Sequence, residues 1–194
     1  MTEHDAFAER GRSIEEEYFR RKDRELVERL RQADAAGHAR DEMGQRTGLH
    51  DPAMLQDLQE LGFTPDTVGL LPLVPVLEVA WAEGGITAAE RALVVALARS
   101  RGIADGSAAD RQLTEWLAVR PEPAVFTRAG RLIAALLTSD APATLGLKAG
   151  DLVAYCERIA AASGGFLGLR LGSVSPEERS LLARIASDLE TRQR

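Results

Sequence analysis

The chain is 194 residues long, with 24 Lys and Arg against 30 Asp and Glu, a formal charge of −6, 45% hydrophobic residues and 5% aromatic ones. A chain of this size buries roughly two thirds of the surface its unfolded form exposes, so it needs no disulfide or metal staple to hold a core. The lone Cys156 excludes an internal disulfide, zinc ribbons and ferredoxin-type clusters, and the mild acidity argues against general nucleic-acid binding, which calls for a basic face.

The start, Met1-Thr2-Glu3-His4-Asp5, has neither the basic nor the apolar region of a secretory signal, so a cytoplasmic location is expected. Charge density then divides the chain. Residues 1–50 hold 10 basic and 12 acidic side chains, leaving 14 and 18 for the remaining 144. From Phe7 to Arg31 there is no proline, one glycine, and an excess of Glu, Arg and Leu, which predicts a solvated helix roughly 40 Å long. Its apolar residues are sparse. Phe7, Gly11, Ile14 and Tyr18 follow helical spacing, and Phe19, Leu26 and Leu30 make a second narrow seam. Glu16 with Arg20, Glu17 with Arg21 and Glu25 with Arg29 are spaced for i, i+4 pairing. Over Gln32 to His50 the pattern lapses into Ala and Gly, so the expected organisation is a charged amphipathic helix over 1–36, a flexible linker over 37–50 and a helical domain over 51–194.

In the domain, Asp51 caps a helix with Pro52 at its first position and a stop at Gly62. Thr64-Pro65-Asp66 opens a segment that runs to Gly84, within which Pro72 and Pro75 must start, kink or break a helix. The most apolar stretch, Val68 to Ala82, is shorter than the ~20 residues a bilayer needs and carries Glu78, so it reads as core; peripheral membrane association stays open. Thr87-Ala88-Ala89-Glu90 is a capping box leading to Gly102. Further helices are predicted over 108–119, 123–138, from 147 or 149 to 162, and from Ser175. No window alternates with period 2, so the fold class is all-α.

Gly84-Gly85-Ile86-Thr87-Ala88-Ala89-Glu90-Arg91-Ala92-Leu93 echoes Gly172-Ser173-Val174-Ser175-Pro176-Glu177-Glu178-Arg179-Ser180-Leu181 without gaps. Two well-capped helices explain it locally; a pair of related hairpins about a pseudo-twofold axis explains it globally. The stretch from Val79 through Trp81, Glu83 and Gly84 to Arg91 resembles the tellurite-resistance TerB-like family, over about residues 66–190. That resemblance implies an all-helical, pseudo-symmetric bundle in a stress response, without known catalytic residues, in which acidic groups near the turn bind a divalent cation. Glu83 stands where the family usually has Asp, and Glu90 matches the capping Glu. Glu78, Glu83 and Glu90 are therefore the candidate metal ligands, and a divalent cation is the one cofactor considered.

The first helix is similar to the inhibitory segment of the mitochondrial ATP synthase inhibitor protein, whose Glu-Glu, Tyr-Phe-Arg and Arg-Glu positions match Glu15, Glu16, Tyr18, Phe19, Arg20, Arg24 and Glu25. That family's helix wedges into a catalytic interface of a rotary enzyme; its histidine-rich coiled-coil stretch has no counterpart here. With Phe7, Ile14 and Leu30, these residues are the expected partner-binding set, for a protein partner or for self-association. His4, His38 and His50 lie in the expected helix and linker, no nucleophile elbow surrounds any Ser, and Ser163-Gly164-Gly165-Phe166-Leu167-Gly168 lacks the Lys of a phosphate loop, so no catalytic residue is assigned. Three functions are expected to compete: a non-enzymatic TerB-like interaction module, an inhibitor of a rotary ATPase, and a divalent-ion sensor.

Overall fold

Three of the helices begin where the sequence supplies a side-chain acceptor for an orphan N–H, at Asp51, Thr87 and Ser107. The computed structural model describes residues 3–138, 149–163, 180, 182–184 and 187. These form α1 (Glu3–Thr47), α2 (Pro52–Glu60), α3 (Val74–Ala80), α4 (Ala88–Ser100), α5 (Ala108–Ala118), α6 (Pro123–Thr138) and α7 (Ala149–Ser163), with a 3-10 segment at Val68–Leu73 and no strand among them. The chain is all-α. Asp51 accepts from the Ala53 N–H at 2.8 Å with Pro52 in the first turn, and the Ser107 hydroxyl accepts from the Asp110 N–H at 3.1 Å. Gly62 and Gly102, at φ of 84° and 83°, take the left-handed conformation just past the ends of α2 and α4.

Pro72 and Pro75 break the apolar segment in two. Pro72 lies inside the 3-10 segment, whereas Pro75 sits in the first turn of α3, where a missing N–H costs no hydrogen bond. The helix then stops at Ala80, short of Gly84. The repeat of the Gly84–Leu93 pattern at 172–181 lies outside the described residues apart from Ser180, as does the Ser163–Gly168 stretch beyond its first residue.

The chain divides into two compact units, Met1–Asp41 and Glu42–Arg194. In the first, residues 3–41 are helical throughout. In the second, α3 packs against α7, α6, α4 and the 3-10 segment, and α4 packs against α7. Val74, Pro75, Val76, Leu77, Val79 and Ala80 are all buried, so α3 has almost no solvent face. Polar ties bind its neighbours: Arg128 of α6 reaches Asp57 and Glu60 of α2 at 2.6 and 2.7 Å, and Trp81 Nε1 donates to the Trp116 carbonyl at 2.9 Å. Phe126 is buried, while Trp81 and Trp116 sit half-buried at the core margin, Trp116 edge-on to Phe63 at 5.7 Å.

The linker expected over 37–50 is instead helical as far as Thr47. Ala33, Ala35 and Ala36 are the best helix formers, and one Gly37 costs only about 1 kcal/mol, so the lapse in large apolar residues did not mean a lapse in helix. Nor does the core begin after residue 50, because Met43 and Leu49 belong to it. Gly44 fits a close approach here: a Cβ on it would lie 3.0 Å from the Leu49 carbonyl oxygen and 3.4 Å from Leu55 Cδ1, so a larger residue makes its neighbours shift by a few tenths of an ångström. The buried Thr47 hydroxyl donates to the Met43 carbonyl at 2.8 Å and accepts from the Leu49 N–H at 3.2 Å, and Gly48, at φ 74°, ends the helix.

Leu77 is fully buried. Leu77→Ala is expected to cost about 2–5 kcal/mol, seen as a lower denaturant midpoint at an unchanged m-value.

Candidate functional site

The N-terminal helix presents large apolar groups to solvent. Tyr18, Phe19, Leu26, Val27 and Leu30 are between 45 and 61% exposed, and Val119 is the one other large hydrophobic so placed among the described residues. Isolated exposed hydrophobics are ordinary, but Tyr18, Phe19, Leu26 and Leu30 fall within about 120° of one helix and share a face, whereas Val27 lies on the far side from Tyr18. Tyr18 and Phe19 meet edge to face with ring centroids 5.8 Å apart. The Arg21 guanidinium and the Lys22 ammonium stand 5.7 and 5.8 Å from the Tyr18 ring centre.

Charges frame these rings. Arg20 pairs with Glu16 at 2.8 Å, as the spacing predicts. Glu25 pairs with Lys22 at 3.1 Å, while Arg29 turns its Nε toward the Glu25 backbone carbonyl. The hydrogen bond and the charge of Lys22 hold the Glu25 carboxyl below its usual range. Arg24 donates to the Arg20 carbonyl at 3.2 Å. Glu15, Glu16, Tyr18, Phe19, Arg20, Arg24, Glu25 and Leu30 of the expected partner-binding set are thus all solvent-facing. Phe7 and Ile14 lie outside the residues whose side chains are described. Val27 escaped the sequence reading because it follows Leu26 directly and so points about 100° away from it.

The candidate metal ligands do other work. Glu90 is buried, its Oε2 accepting from the Thr87 N–H and hydroxyl at 2.7 Å each, and the Glu90 N–H returns a bond to Thr87 Oγ1 at 3.2 Å. Glu78 accepts from Arg184, and Glu83 is exposed in the turn after α3. Among the described residues no group of three or more His, Cys, Asp or Glu is placed to hold a metal ion, so Glu78, Glu83 and Glu90 do not form the expected site. A carboxylate that completes a capping box from inside the core has its oxygen committed to the backbone and is not offered to a cation.

Two further features belong to the second unit. A groove of about 240 Å³ between α4 and α7 is lined by Leu93, Leu97 and Ser100 on one side and Tyr155, Arg158 and Ile159 on the other. That is below the roughly 300 Å³ at which drug-sized ligand pockets begin. Cys156 of α7 is buried, and desolvation first, then the negative charges of Glu78 and Glu157, push its thiol up to about 12. Among the described residues no helix is long and apolar enough to cross a membrane. No protein-family model, curated protein or solved structure matches the chain.

The native thiol is expected to resist iodoacetamide at neutral and mildly alkaline pH and to react at once on denaturation. The thiol's ordinary value is 9.0, and the folded value lies above it. Its contribution to stability is therefore complete below pH 9 and lost as pH rises toward 12. A Cys156→Ala chain lacks that part of the alkaline loss in pH-dependent denaturation.

Proposed function

We propose that this protein is a non-enzymatic helical module that acts by contact, presenting its N-terminal amphipathic helix to a second protein chain. The observation that carries this reading is the concentration of exposed Tyr18, Phe19, Leu26, Val27 and Leu30 on one charged helix. Aromatic and aliphatic anchors of this type, set among rim charges, supply the desolvated centre of helix-in-groove interfaces. The second unit, from Glu42 onward, has a buried core of its own, which supports the division of labour. The TerB-like, stress-response form of the reading rests on the Gly84-to-Glu90 turn and its capping box.

A Phe19→Asp/Leu26→Asp chain is expected to keep the parent's unfolding midpoint, because substitutions at exposed sites usually shift stability by no more than about 0.5 kcal/mol. It is expected to lose the protein bands that the parent retains in a quantitative pull-down from native lysate. Equal capture by the two chains, at equal stability, contradicts the proposal.

The exposed Tyr18, Phe19, Arg20 and Arg24 favour a second reading, inhibition of a rotary ATPase by the same helix. In that case the full chain slows ATP hydrolysis by the isolated enzyme and Tyr18→Ala relieves the effect; no slowing at saturating chain excludes it.

A further inference from the structure

The N-terminal helix is complementary to itself when reversed, and this deepens the contact reading proposed above, on which it rests. Residues 3–17 carry six carboxylates and two guanidinium groups, whereas residues 18–31 carry six cations and three carboxylates, so the net charge runs from −4 to +3 along one continuous helix. Tyr18 and Phe19 stand at the change of sign, with Glu15-Glu16-Glu17 before them and Arg20-Arg21-Lys22 after. At 100° per residue, Glu15, Tyr18, Phe19, Lys22, Leu26 and Leu30 fall within one sector of about 120°. The charged residues in that sector between residues 12 and 30 are Arg12, Glu15, Lys22 and Arg29.

We infer that the occupant of this face is a second copy of the chain, its helix antiparallel to the first, about a twofold axis between Tyr18 and Phe19. This register sets Tyr18 of one copy against Phe19 of the other and joins two aromatic residues that are about half exposed or more in the single chain. It also sets Glu15 against Lys22, twice by symmetry, so the two charges nearest the aromatic pair in that sector neutralise each other, while Arg29 falls opposite the uncharged Ala8. Glu16 and Glu17 fall opposite Arg21 and Arg20. Along the sequence the same register sets Arg12 against Glu25, Gly11 against Leu26 and Phe7 against Leu30, an overlap of 24 positions or about 36 Å. A parallel, in-register pair instead sets Glu15 on Glu15, Lys22 on Lys22 and Glu25 on Glu25. Facing like charges select against a pairing, so orientation is decided by the charges and attraction is supplied by the rings and Leu side chains.

The test is sedimentation equilibrium of the full chain across a concentration series, with far-UV circular dichroism to confirm unchanged helicity. A monomer–dimer equilibrium is expected, with Glu15→Lys alone and Lys22→Glu alone each weakening it at least about tenfold, and the two together restoring it. Lys22→Glu also breaks the pair with Glu25 inside the helix. Rescue by Glu15→Lys separates the intermolecular contact from that local loss. A spin label on Gln32→Cys, the native Cys156 being buried, reads orientation, with labels about 40 Å apart in the antiparallel dimer and under about 20 Å apart in a parallel one. A chain that stays monomeric at every concentration, single variants that dimerise like the parent, or the short label distance each overturns the inference. In those cases a Phe19→Asp/Leu26→Asp chain that still loses a different protein partner leaves the contact reading standing.

Discussion

The second unit is organised around α3, a seven-residue helix with almost no solvent face. Val76, Leu77 and Val79 are fully buried, and α4, α6 and α7 each lie against it. Seven residues are too few to hold a helix in water, where nucleation outweighs the few hydrogen bonds gained, so α3 exists because its neighbours enclose it. They in turn have amphipathic faces that only a buried apolar partner satisfies. Glu78 is the polar exception on α3, and its route out is the ion pair with Arg184. Its negative charge is one reason the neighbouring Cys156 thiol stays protonated.

The same economy of apolar surface explains α1. Up to Asp41 the helix carries charges all round, with a patch of rings and Leu side chains facing solvent; from Met43 to Thr47 it contributes Met43, Gly44 and Thr47 to a packed interior. One continuous helix thus serves two environments. The change needs no break in the backbone, only a switch in which residue types occupy successive turns, and at Gly44 the Leu49 carbonyl oxygen approaches closely enough that a Cβ would make it shift.

Carboxylates and cations illustrate how position overrides residue type. Glu90 and Glu25 are chemically identical, yet Glu90 is sealed in a capping box while Glu25 stays exposed and is held ionised by Lys22. Arg128 and Arg20 both make ion pairs, but Arg128 ties α6 to α2, residues far apart in sequence, whereas Arg20 bonds only to its own helix. Only the former restrains the tertiary fold; the latter leaves its helix free to offer a surface.

Helix identity was legible in the sequence because it depends on local chemistry: Asp51 before Pro52, Thr87 three residues ahead of Glu90, Ser107 ahead of Asp110, and glycines able to adopt positive φ at 62, 84 and 102. The exposure of Tyr18, Phe19, Leu26 and Leu30 was legible for the same reason, since too few apolar residues at helical spacing leave no way to bury a charged rod, whereas Val27 was not. What tertiary structure alone decided was everything set by residues distant along the chain. That Met43 and Leu49 join the core, that Pro72 lies in a 3-10 segment while Pro75 opens α3, and that Glu78, Glu83 and Glu90 point to separate tasks all depend on which surfaces meet. Periodicity records how each segment divides its own faces between oil and water, but not which other segment will cover the oily one.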